Sequence, residues 1–174
     1  VHAFVVVILT AVTISLQTII SPRLEIGGAS PDWLLILVAF LGLYAAAPRA
    51  VIAGWFVGLC ADLMSLEHLG VMSISYGVAA LVLVGVRDYL FRYSAFTQAA
   101  VTFFLCLLVW AAWHTYARGL YGPTAGASQV LLIALYTALV APLVHGILLR
   151  AGPWIGVSRR RHGPMGGELG YANV

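Results

Sequence analysis

Long apolar runs broken by short polar turns set the pattern of this chain. Residues 2–20 are almost uninterrupted apolar. About twenty helical residues cross the roughly 30 Å hydrocarbon layer of a bilayer, so this run predicts a first spanning helix. No basic stretch precedes it and no small-residue cleavage site follows, which argues against a signal peptide. Pro22, Arg23, Glu25 and two glycines predict a polar hairpin over 21–30. Ser30-Pro31-Asp32 then reads as a helix start. Serine caps well, proline suits the first helical position, and an acid suits the positive end of the helix dipole. A short second helix is expected over about 31–47, broken by Pro48 and Arg49. Further helices are expected over about 49–64, 71–89, 95–117 and 128–150, with Ser94 and Ser128 capping the last two. The fold class is therefore all-α, a six-helix transmembrane domain over 1–150. Residues 151–174 are Gly-rich, carry Arg159-Arg160-Arg161, and read as a flexible cytoplasmic tail.

Within the third run, Gly54, Gly58 and Asp62 recur every four residues and form one narrow helical stripe. A charge near the bilayer centre costs roughly 2.5–3.5 kcal/mol on insertion scales. Asp62 is thus expected to be buried toward the outer end of a helix at the middle of the bundle. The two glycines let another helix approach closely. Ala134, Ala138, Pro142 and Gly146 make a second such stripe on the sixth helix. Packing inside the bundle is one reading of such a stripe and docking of a partner helix the other, which makes Gly54, Gly58, Ala134 and Ala138 the candidate partner-binding residues.

Composition removes the soluble alternatives. The chain is 62% hydrophobic and 9% charged, against about 25% charged in a soluble domain. All nine basic residues are arginine. Arg49, Arg87, Arg92, Arg150 and the Arg159–161 cluster fall on one side of a six-span topology, and only Arg23 and Arg118 on the other. The positive-inside rule then makes both termini cytoplasmic. Basic residues scattered at helix ends give no nucleic-acid face. Cys60 and Cys106 lie in separate apolar runs and read as core residues. No metal-ligand, phosphate-loop or catalytic pattern is present, so neither enzyme activity nor a cofactor is expected. Trp110, Trp113 and Tyr116 cluster toward one end of the fifth helix, as an interfacial belt does.

The order Pro31-Asp32-Trp33-Leu34-Leu35, Pro48-Arg49, Gly54-x-x-x-Gly58-x-x-x-Asp62 and Leu69-Gly70 resembles the rod shape-determining protein MreD family, most closely over about 31–92. The resemblance implies a non-enzymatic subunit of the bacterial cell-elongation machinery in the inner membrane. It implies binding to MreC, and work alongside MreB, RodA and a class B penicillin-binding protein. It also implies a fold similar to the substrate-binding components of energy-coupling-factor transporters, with Pro31, Asp32, Gly54, Gly58, Asp62 and Gly70 as fold-defining positions. The rival reading is a membrane component that binds a small molecule such as a vitamin. Trp33, His68, Trp113, His114 and Tyr116 would then line an outward cavity.

Overall fold

Each apolar run folds as a helix. The computed structural model describes residues 3–65, 70–90, 94–121 and 126–151. The turn with Glu67 and His68, Arg92, and the tail with Arg159–161 lie outside the described residues. The helices are α1 (Ala3–Ile19), α2 (Trp33–Tyr44), α3 (Ala47–Ser65), α4 (Val71–Val86), α5 (Ala95–Tyr121) and α6 (Ala127–Arg150). Short 3₁₀ turns cover Ser21–Arg23 and Arg87–Tyr89. Five of the helical segments are long and apolar enough to cross a membrane, and α2 is the exception.

The boundaries differ from expectation where capping chemistry decides them. Asp32, not Ser30, caps α2, and its carboxylate accepts the Leu35 N–H at 3.0 Å. Pro48 does not break α2 but sits in the first turn of α3, where a missing N–H costs nothing. Gly126 rather than Ser128 stands at the N-cap of α6 and offers no side-chain bond.

The helix at the centre of the bundle is α2, not α3. Every residue from Leu34 to Leu43 is buried. On α3, Ile52 is 65% and Leu63 57% exposed. The reason is legible in α2 itself, which is apolar all round and therefore needs cover on every side. The chain supplies it from α1, α3, α4, α5 and α6, with α3–α4 and α5–α6 as the two most extensively packed pairs.

At about 1.5 Å per residue, α2 is only about 18 Å long. Its ends therefore need partners inside the protein. At the start, Thr137 Oγ1 accepts the Asp32 N–H at 3.0 Å and Gln17 Oε1 accepts the Trp33 N–H at 2.9 Å. At the finish, Arg87 donates from Nη1 to the carbonyls of Gly42, at 3.3 Å, and Ala45. Successive helices run in opposite directions. One cavity is lined by Gln17 near the end of α1, Asp32 at the start of α2, Asp62 near the end of α3, Met72 at the start of α4 and Trp113 toward the end of α5.

The glycine stripe of α3 faces α4 at a separation that leaves no room for side chains. A Cβ on Gly58 would lie 2.5 Å from the Met72 carbonyl oxygen and 2.6 Å from Ser73 Cα. One on Gly54 would lie 2.7 Å from the Ala80 Cβ and 3.0 Å from the Tyr76 carbonyl oxygen. The obstacle at Gly58 is backbone, which cannot rotate away. At Gly77 a Cβ would meet the Trp55 Cβ at an ordinary 3.6 Å. Gly58→Ala is therefore expected to force α3 from α4 and destabilise by about 2 kcal/mol or more, with Gly77→Ala near neutral. Thermal unfolding of the two variants in detergent checks the difference.

Candidate functional site

Two buried carboxylates, Asp32 and Asp62, lie at one end of the bundle. Asp62 is fully buried, yet it is well supplied with donors. Its Oδ2 accepts N–H bonds from Gly70 at 3.0 Å and Ser73 at 2.9 Å, and its Oδ1 accepts one from Met72 at 3.0 Å. These amides open α4, where the first N–H groups of any helix lack intrahelical acceptors and the dipole is positive. Gly70 stands at the N-cap with φ +103, a backbone conformation that glycine takes without strain. A side chain on α3 thus does the capping that α4 lacks locally. The glycine stripe brings the two helices close enough for it.

Asp32 forms the second half of the site. Its carboxylate caps α2 and also accepts the Tyr76 hydroxyl, at 3.0 Å to Oδ2 and 3.3 Å to Oδ1. The Trp110 indole N–H lies close to this carboxylate. The two carboxylates line one cavity of about 190 Å³, with Gln17, Tyr76, Trp110 and Trp113 in its wall. Among the described residues, no Lys or Arg lines it.

Pro31, Asp32, Asp62 and Gly70 therefore gather at one end of the bundle, with Pro31, Asp32 and Asp62 all buried. Gly54 and Gly58 lie within the α3–α4 contact, so α4 of the same chain fills the notch that a partner helix was expected to enter. Ala134 and Ala138 are likewise buried within the chain. Of the residues expected to line an outward pocket, Trp113 lines this cavity. Trp33 instead donates its indole N–H to Ser21 Oγ at 3.0 Å, and His114 stacks on Trp110 at 6.0 Å.

Gln17, Tyr76, Arg87 and Thr137 were missed by reading motifs. Their signal was present all the same, because polar side chains inside apolar helices seek partners. His145 belongs with them. It is fully buried on α6, and its Nε2–H donates to the Ile36 carbonyl at 3.2 Å.

These features define a class, a multi-pass α-helical membrane protein whose buried polar side chains serve the ends of neighbouring helices. The family model described as rod shape-determining protein MreD matches residues 1–141, and the chain belongs to that family. Its place is thus in the determination of rod shape, within a family of shape-determining components and not of known enzymes. No curated protein and no solved structure matches the chain.

Asp62→Asn keeps the shape but replaces one acceptor oxygen by an NH₂ that faces backbone N–H groups. A hydrogen bond to a charged group contributes about 1.5–3 kcal/mol. The variant is expected to lose at least one, with a cost of about 3 kcal/mol. Unfolding in detergent measures that cost, and hydrogen exchange at Met72 and Ser73 shows where it falls.

Proposed function

We propose that the protein is a non-enzymatic scaffold of the cell-elongation machinery that holds MreC in the inner membrane. It would work alongside MreB, RodA and a class B penicillin-binding protein in peptidoglycan synthesis. Family membership supports the setting. The observation that carries the scaffold reading is how the buried carboxylates are used. Asp62 and Asp32 accept bonds from Gly70, Met72, Ser73, Leu35 and Tyr76, all within this chain. They fix helices relative to one another, as a rigid docking platform requires.

Gly54 and Gly58 on α3 and Ala134 and Ala138 on α6 are taken up by packing inside the chain, which favours another surface for the MreC helix. The outer side of α3 and α4 offers a wholly apolar groove of about 550 Å³, lined by Val51, Ile52, Trp55, Ile74, Gly77 and Val78 among others. Lipid gives no hydrophobic drive between helices, so close contact over small residues such as Gly77 matters most. The six-span topology with cytoplasmic termini is supported by the helix ends. Arg49, Arg87 and Arg150 stand at one end of the bundle, and Arg23 and Arg118 at the other.

The vitamin-binding alternative is poorly matched by the cavity. Pockets for drug-sized ligands run to roughly 300–1,000 Å³, whereas this one is about 190 Å³.

Gly77→Leu fills the outer groove, and its first added carbon meets Trp55 of α3 at an ordinary 3.6 Å. It is expected to reduce co-purification of MreC about fivefold or more, since loss of a packed interface of about 1–2 kcal/mol has that effect. The thermal midpoint should stay near wild type. Undiminished recovery of MreC would refute docking at this groove.

A further inference from the structure

The helices of the bundle are level at one end and stepped at the other. Gln17, Asp32, Asp62, Met72 and Trp110 line one cavity, and Thr137 accepts the Asp32 N–H, so these residues mark a common level on α1 to α6. In one direction from that level the chain reaches Ala3 on α1, Arg49 on α3, Arg87 just past α4, Ala95 on α5 and Arg150 on α6. At 1.5 Å per residue, each of these points lies about 20–22 Å away. The other direction is uneven. α3 stops at Ser65 and α4 begins at Val71, within about 5 Å of the common level, whereas α5 continues to Tyr121 and α6 starts at Ala127, about 15 Å past it. From the level end, α3 and α4 therefore stand about 25 Å tall and α5 and α6 about 35 Å.

The side chains turned outward follow the same step. Exposed large apolar residues run from Ile52 to Met64 on α3 and from Ile74 to Val86 on α4, about 18 Å in each case. On α6 they run from Leu131 to Ile147, about 24 Å, and on α5 from Phe96 to Leu120, about 36 Å. The hydrocarbon layer is roughly 30 Å thick. A span too short for it tilts, snorkels a long basic side chain, associates with another chain or thins the bilayer. A tilt that lifted the short side would draw Arg49 and Arg87 into hydrocarbon, where charge is disfavoured. The described residues at the short ends, Met64, Ser65, Gly70 and Val71, include no Lys or Arg to snorkel.

We propose that the protein thins the bilayer leaflet beside α3 and α4, at the end where Asp62 caps α4. Phospholipid headgroups and water descend about 5 Å there to meet the ends of these two helices, while the leaflet beside α5 and α6 keeps its full height. The surface therefore fits a lipid partner of reduced thickness, one built from short acyl chains. The inference rests on helix heights and outward side chains, and it holds whether or not MreC docks at the α3–α4 groove.

The full chain is placed one copy to a nanodisc of phosphatidylcholine, so that no second copy covers the step. Spin labels are attached at Leu63→Cys on α3 and Leu135→Cys on α6, exposed positions near the common level, and at Ile52→Cys and Ile147→Cys, exposed positions nearer the level end. The background carries Cys60→Ala, and Cys106 is fully buried and takes no label. Depth is read from relaxation by oxygen against a water-soluble nickel chelate. The Leu63→Cys label is expected to lie about 5 Å or more shallower than the Leu135→Cys label, with the Ile52→Cys and Ile147→Cys labels at matching depth. Equal depth for Leu63→Cys and Leu135→Cys would overturn the proposal, because the leaflet would then be flat. A shallower Leu63→Cys label matched by an Ile52→Cys label deeper than Ile147→Cys would overturn it equally, because the bundle would then be tilted in a flat bilayer. The unlabelled wild type gives an independent check. Its thermal midpoint should fall as longer acyl chains thicken the hydrocarbon layer from about 25 Å to about 35 Å. A midpoint that is constant or rises over that series would contradict the thinning.

Discussion

Hydrocarbon offers no hydrogen bonds, so every backbone group at membrane depth must find its partner within the protein. The structure is organised around that constraint at α2. A helix of about 18 Å cannot bring both ends to water across a layer of roughly 30 Å. Its first amides are met by Asp32, Gln17 and Thr137, and its last carbonyls by Arg87. The donors and acceptors come from α1, from the end of α4, and from α6. Each of these three helices therefore contributes a polar side chain to the ends of α2, and the bundle closes around the element they serve.

The α3–α4 pair repeats the solution on a smaller scale. Gly54 and Gly58 remove the side chains that would hold the helices apart, and Asp62 uses the resulting proximity to cap α4. Close packing and capping depend on each other. If the helices separated, the carboxylate would lose its donors. If the carboxylate were lost, the start of α4 would be left unmet. The same arrangement brings the first turns of α2 and α4 to one end of the bundle, which is why a small polar cavity exists there at all. The buried carboxylates are engaged in holding helices in place.

Much of this was legible in the sequence. Run lengths gave the number and approximate limits of the helices, and the spacing of Gly54, Gly58 and Asp62 marked a buried stripe with a carboxylate at its end. The identity of the central helix was not legible, because a stripe draws attention to α3 whereas the decisive property of α2 is uniform apolarity with no stripe. Asp32 was read as a favourable charge near a helix start but proved to be the cap itself, since its side chain reaches Leu35 where Ser30 does not. The partners Gln17, Tyr76, Arg87 and Thr137 could not be assigned from spacing. Thr137 lies 105 residues from the amide it accepts, and only the three-dimensional fold joins them. The stripe on α3 showed that something packs closely there, but not that the something is α4.

Hydrogen–deuterium exchange of the backbone amides in lipid nanodiscs tests the central claim most directly. If α2 is sealed at both ends and covered on all sides, the amides of Trp33 to Leu43 exchange more slowly than those of any other helix, including its first turn. Exchange in that first turn as fast as at the lipid-facing residues of α1 would contradict the account, because a short helix with open ends could not then be what the bundle is built on.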